Sequence, residues 1–271
     1  MSRFEAVTVC LNYADFLAHV IPANQPHFDD WVVVTCRSDE PTFRVCERHG
    51  VRTVFCPYFA KNGSPFNKAL AINLGLAHLK CTDWMIHIDA DTVLPGNFRK
   101  LVENAELRKD AIFGIDRVNC PSWDEWQRYR TSDSSNQKHY FIQPPGGWHI
   151  GTRLSHHDYG GYVPIGFFQM WNRESNITRY PTIQDGGAEH TDLLHGLQWP
   201  RPNRILIPEI IAVHLESEPS SMGANWKGRT TKAFGPESSG SSMMAGKSVL
   251  RSAPQRPAEF FTAAHDYAQG K

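Results

Sequence analysis

Strand-like and helix-like spacings of apolar positions alternate through the first 115 residues of the chain. Short apolar runs rich in β-branched or aromatic residues at Glu5–Leu11, Trp31–Cys36, Arg52–Phe55, Trp84–Ile88 and Ala111–Ile115 predict five strands. Between them, Thr42–His49, Asn67–Leu79 and Asn97–Leu107 predict helices, the first stopped by Gly50. Such alternation implies an α/β domain with a mainly parallel sheet and helices on both faces, and ligands bind such sheets beyond the carboxyl ends of the strands. Three polar loops fall there and converge on one edge: Asn12-Tyr13, Thr35-Cys36-Arg37-Ser38-Asp39, and Asp89-Ala90-Asp91.

The periodicity is lost from Arg117 to Pro164, where Trp, Tyr, His, Gly and Pro accumulate. A long segment without regular elements inside a compact domain points to function. Trp123, Trp126, Tyr129, Tyr140, Phe141 and Trp148 either form a satellite core or present flat surfaces for a sugar or a base. Gly160–Trp171 reads as a strand whose glycines admit a close backbone approach. Glu189–His195 predicts a helix on which Glu189 and Asp192 share a face; the plainer reading is an acidic first turn favoured by the helix dipole. Ile205–Ile207 and Ile210–Val213 form a last strand pair around Pro208 that ends at His214, and Lys227 and Arg229 follow as two cations. Residues 1–234 read as one domain, with halves at 1–116 and 117–234. Residues 235–271 read as a Ser/Gly-rich linker and a terminal helix over Pro257–Gln269.

Composition narrows the partners. Lys plus Arg equals Asp plus Glu at 28 each, so no global field favours nucleic acid or an anionic membrane. No apolar stretch approaches the length of a membrane-spanning helix, and the N-terminal residues do not resemble a signal peptide. The six cysteines contain no Cys-x-x-Cys pair and lie beside apolar runs, which predicts buried reduced thiols and a cytoplasmic location.

The Asp pair is the strongest chemical feature. If the strand ending at Ile88 stays extended through Asp91, Asp89 and Asp91 point the same way roughly 7 Å apart. At that distance two charges repel by about 2 kcal/mol at an effective dielectric near 20. A divalent cation, or a cation at one Asp and a polar ligand at the other, would remove the repulsion; the alternative is an acidic turn that closes a strand. The chain has no Walker loop and no Gly-x-Gly-x-x-Gly, so kinase and dinucleotide-oxidoreductase readings lack a phosphate cradle.

Together these residues resemble the GT-A glycosyltransferases, in particular their family-2-like branch, over roughly residues 5–232. The stretch Asp89-Ala90-Asp91-Thr-Val-Leu-Pro-Gly-Asn-Phe98 is similar to that family's Asp-x-Asp element, and Asn67–Leu76, which carries Lys68 and ends in Asn73-Leu-Gly-Leu, is similar to the helix before it. The resemblance implies a Rossmann-like mixed, mainly parallel sheet flanked by helices, and transfer of a sugar from a nucleotide-sugar donor, a UDP-sugar first among them. It implies that Asn12, Tyr13, Thr35, Arg37 and Asp39 hold base and ribose, with Lys68, Asn73, Asp89 and Ala90 also lining the donor site. Asp91 and His214, with Asp89 at or near the metal, would bind Mn²⁺ or Mg²⁺, and Lys227 or Arg229 would neutralise the leaving diphosphate. Where the family commonly has Glu-Asp-x-Asp, this chain has Glu189-His190-Thr191-Asp192, which leaves Asp192, then Glu189, then His190 as general base of an inverting reaction. Trp148, Tyr162 and Gln169 are the acceptor contacts expected, and the acceptor itself, whether glycan, small molecule or modified nucleic acid, stays open. Two other readings stand beside this one: a sugar-nucleotide nucleotidyltransferase, which would need a Gly-rich basic loop where Asn12-Tyr13-Ala14-Asp15 stands, and a non-catalytic nucleotide-sugar or carbohydrate-binding module.

Overall fold

A computed structural model of the protein describes residues 2–61, 64, 66–132, 143–151, 153–182, 188–216, 229 and 232–236, with the backbone alone at 189. The expected linker beyond 236, the terminal helix, Tyr140, Phe141 and Lys227 lie outside the described residues. The elements run β1 (Phe4–Val9), α1 (Ala14–Asn24), β2 (Asp30–Thr35), α2 (Glu40–His49), β3 (Arg52–Phe55), α3 (Lys68–Leu76), β4 (Trp84–Ile88), β5 (Thr92–Val93), α4 (Phe98–Asn104) and β6 (Ile112–Cys120). There follow α5 (Trp123–Thr131), β7 (His149–Ile150), β8 (Leu154–His156), β9 (Gly161–Val163), β10 (Phe168–Asn172), α6 (Thr191–Gly196) and β11 (Arg204–Leu215).

One nine-stranded sheet has the order β3-β2-β1-β4-β10-β6-β11-β5, with β7 added on β6. Strands β1, β2, β3, β4, β6 and β11 run one way, and β10, inserted antiparallel between β4 and β6, runs the other. This is the mixed, mainly parallel sheet expected. Alternation along β1 sends Phe4 and Ala6 into a core with α1 and α4, and Val7 and Val9 into a second core with α3. Both faces are therefore covered, and the central strands β1, β4 and β10 are buried at every position.

Helix ends follow local chemistry. Asp39 caps α2 by accepting from Thr42 N at 3.3 Å, and Gly50 closes that helix at φ 67°. Asn67 caps α3 by accepting from Leu70 N at 3.3 Å. Two helices are absent from the sequence reading. In α1 a buried stripe of Phe16, Leu17, Val20 and Ile21 outweighs the interior Pro22. In α5 Ser122 caps Glu125 N, and Trp126 and Tyr129 pack inward. The described part of the segment expected to be irregular from Arg117 contains regular elements: β6 continues to Cys120, α5 follows, and Trp126, Tyr129 and Trp148 join the main core. The two segments around Pro208 form one strand, β11, whose register shifts between Ile207 and Ile211. All six cysteines are free. No helix among the described residues is long and apolar enough to cross a membrane.

Gly75 marks where α3 meets the sheet. A Cβ there would stand 2.6 Å from Val7 Cγ1 and 2.8 Å from Val34 Cγ2. Gly75→Ala is expected to lower stability by about 1–3 kcal/mol by overpacking, despite alanine's higher helix propensity; urea denaturation checks it.

Candidate functional site

The site is built where β4 stops. The chain turns at Ala90 and Asp91 instead of staying extended: Asp89 N donates to Phe167 O at 3.1 Å, and Thr92 N returns to Asp89 O at 3.3 Å. This corrects the expectation that both carboxylates share one strand face. The turn gives each its own partner. Asp91 is held by the end of β11, whose Leu215 N donates to Asp91 O at 2.8 Å, and His214 Nε2 lies 3.4 Å from Asp91 Oδ1. Asp89 faces Lys68, with Nζ to Oδ1 at 2.9 Å.

Lys68, the first residue of α3, reaches a second carboxylate as well. Its Nζ stands 3.3 Å from Asp192 Oδ2, across 124 residues of sequence. Gly166 makes room for that carboxylate, since a Cβ there would overlap it. Burial, with Asp89 adding to it and Lys68 opposing, pushes the Asp192 carboxyl up to about 6. Burial also raises Asp89, against the pull of Lys68. Burial alone would lower Lys68, but Asp192 and Asp89 outweigh it and hold the ammonium above its usual range.

A buried layer supports this triad. Gln169 Nε2 donates to Asp192 O at 2.9 Å and to Pro164 O at 2.8 Å, and Tyr180 Oη donates to Gln169 Oε1 at 2.5 Å. Asn73 clamps the Tyr180 backbone on both sides at 2.8 Å. The His195 ring stacks on Tyr180 with centroids 3.7 Å apart, and burial lowers its imidazole to about 3. His87 meets the edge of Tyr180 and, by burial and then Lys68, is held well below its ordinary range. Gln169 and Asn73, expected at the acceptor and the donor, are thus engaged in bonds that brace the Asp192 and Tyr180 backbone. Trp148 is likewise a core residue, its Nε1 donating to Glu125 Oε2 at 3.1 Å.

The first two loops also differ from expectation. Asp39 is buried and accepts from Asn12 N, Thr35 Oγ1, Thr42 N and Thr42 Oγ1, so its carboxylate ties the two loops together. Asn12 takes a left-handed φ of 57° to make that bond. Tyr13 stacks on Phe16, and the exposed Arg37 lies over Phe55. Arg229 makes a two-pronged ion pair with Asp15 at 2.7 and 2.6 Å and donates to Asn12 O, so its charge is neutralised within the protein. Tyr162 packs its hydroxyl against Gly114.

Several site residues escaped the sequence reading. Glu216 lies 3.6 Å from His214 Nδ1 and accepts from Asn119 Nδ2 at 2.7 Å; its spacing from His214 on a strand was the available signal. Arg117 shares the His214 side of the β6–β11 pair, and His87 has no signal beyond an apolar strand.

The metal expectation rests on Asp91 and His214. Asp91 Oδ1 is buried without a hydrogen-bond partner, as a ligand atom would be, and both side chains are mostly shielded. A carboxylate plus an imidazole, completed by diphosphate oxygens and water, suits Mn²⁺ or Mg²⁺. Asp89, turned to Lys68, does not join them in a three-donor group. Among the described residues that description fits His156, His157 and Asp158, exposed at the β8–β9 hairpin.

No family model matches the chain, and no curated protein matches it. Solved structures do. A glucosyl-3-phosphoglycerate synthase from Mycobacterium tuberculosis in complex with Mn²⁺, UDP and glucosyl-3-phosphoglycerate is similar at 15% identity and TM-score 0.47, over 79% of this chain and 72% of that one. A mycobacterial protein is similar at 15% identity and TM-score 0.48, over 83% and 70%. The same synthase with Mg²⁺ and UDP gives 13% identity and TM-score 0.46, over 79% and 71%.

The raised Asp192 carboxyl is directly observable. Carboxyl-carbon NMR should titrate it near pH 6, and Lys68→Met should move it higher by removing the neighbouring cation. The sign for stability follows: the folded state holds this proton more tightly than the unfolded chain, so ionising Asp192 costs stability between the ordinary carboxylate range and about pH 6.

Proposed function

We propose that the protein is a metal-dependent glycosyltransferase that moves a sugar from a nucleotide-sugar donor, a UDP-sugar first among those to test, to an acceptor hydroxyl with inversion. The observation that carries this reading is Lys68 held between Asp89 and Asp192, with Asp91 and His214 paired alongside at the carboxyl end of β4. A buried carboxylate of raised pKa thus stands near a carboxylate–imidazole pair suited to a hard cation.

In this reaction the Asp192 carboxylate takes the proton of the acceptor hydroxyl as that oxygen bonds to the anomeric carbon. The bond from that carbon to the diphosphate breaks, and its electron pair leaves on the diphosphate. Asp91 and His214 would hold Mn²⁺ or Mg²⁺, which supplies the positive charge that screens the departing diphosphate. Lys68 keeps Asp192 and Asp89 in place and lowers the cost of ionising Asp192. Asp192 Oδ1, buried and without a hydrogen-bond partner, is the oxygen left for the acceptor proton. Gly166 and Gln169 fix where that oxygen sits.

Two expected outcomes test the assignment. With Mn²⁺ present, Asp91→Ala should abolish metal-dependent UDP binding, whereas Asp192→Asn should keep it and lose on the order of 10²–10⁴ in kcat, the usual worth of a positioned acid–base group. Sugar transfer intact in both variants would remove the proposal. Second, kcat/KM should rise with pH along an acid limb near 6, because the base works only when ionised, and a limb confined to the ordinary carboxylate range would exclude Asp192 as base.

A further inference from the structure

Arg117 stands among the site's acidic groups without an ion pair to any of the described residues. It lies on β6 opposite Ala212 of β11, two positions from the Asn119–His214 pair, so by strand alternation it shares their face of the sheet. Asp91, Asp89 and Glu216 all act on its charge, yet none lies within ion-pair distance, and its buried Nε has no hydrogen-bond partner. The guanidinium carbon lies over the Phe167 ring, 4.5 Å from its centroid. Phe167 is the residue whose carbonyl holds Asp89 N. Gly151 leaves the space that the Arg117 stem fills, because any Cβ there would overlap it.

The neighbouring cation shows what a structural arginine looks like here. Arg153 borders the same small cavity, with Tyr162, and is closed onto Asp116, its Nε to Oδ1 at 2.6 Å. Arg117, more buried and fixed by ring and glycine, has no such carboxylate. A planar guanidinium immobilised this way presents a fork that matches two oxygens of a phosphate or carboxylate.

We infer that Arg117 is an anion-binding residue of the substrate pocket and takes the phosphate or carboxylate oxygens of a substrate. The inference rests on the glycosyltransferase reading for what the substrate is, and on the unpaired guanidinium for its charge. Two sources carry that chemistry, the donor diphosphate and an acidic group on the acceptor.

Calorimetric titration of the full chain with Mn²⁺, using UDP and inorganic phosphate as probes on wild type, R117M and R117K, tests it. R117M should bind one probe about tenfold more weakly, with partial recovery in R117K, which keeps the charge but not the fork. Weaker UDP binding assigns the anion to the donor. Phosphate that binds alongside UDP in wild type, and is lost in R117M with UDP affinity kept, assigns it to the acceptor. The thermal midpoint of R117M without ligands should hold or rise, since a half-buried charge without an ion pair is removed. Both affinities within twofold of wild type in R117M, or a fallen midpoint with neither probe restored in R117K, would overturn the assignment. Wild type that binds no UDP would overturn the glycosyltransferase reading instead, and phosphate binding lost in R117M would even then sustain the anion site.

Discussion

The contact of the Lys68 ammonium with Asp89 and Asp192 is the constraint on which the site depends. It joins the start of α3, the end of β4 and the first turn of α6, three segments far apart in the chain. Taking an ammonium and two carboxylates out of water is costly, and only close mutual approach offsets it. One cation cannot satisfy two carboxylates fully, so the residual negative charge falls on the pair. With burial as the larger cause, it raises the proton affinity of Asp192 and of Asp89. A carboxyl poised near neutrality is therefore a consequence of packing, not of any property of aspartate.

The turn at Ala90 makes the division of labour possible. Had β4 run straight on, Asp89 and Asp91 would have competed for the same partner. Instead Asp89 is neutralised inside the protein by Lys68, while Asp91 is delivered to His214 by β11. Behind them Gln169, Tyr180, Asn73, His87 and His195 form a layer in which hydrogen bonds and ring contacts fix the backbone of Asp192. Burial keeps both histidines neutral, so this layer adds no charge to compete with Lys68.

What was legible in the sequence was what is local. Apolar runs located β2 and β4, because strands buried on both faces have little polar alternation to confuse the reading. The Asp-x-Asp at the end of such a run, and His214 at the end of another, were visible for the same reason. The helix at Ala14 was hidden by Pro22, and α5 by its aromatic composition, though Ser122-x-x-Glu125 was a usable start signal. Long-range pairing was not legible: nothing local shows that Asp39 is closed by four donors, that Arg229 is tied to Asp15, or that Lys68 meets Asp192. Polar residues in loops looked like ligands when several were braces.

Net charge hides the electrostatics that matter. The chain is neutral as a whole, yet the end of the sheet gathers Asp89, Asp91, Asp192 and Glu216 against Lys68 and Arg117, with His214 among them. A substrate carrying phosphate or carboxylate groups would meet a repulsive field unless each anionic group found a cation. Lys68 is already committed to two carboxylates, so it has little attraction left to offer. Among the described residues the field can be reversed where a carboxylate is capped by a bound dication, as Asp91 and His214 would allow, or where a fixed guanidinium has no carboxylate of its own, as at Arg117. On the glycosyltransferase proposal, those two places would receive the substrate's anionic groups.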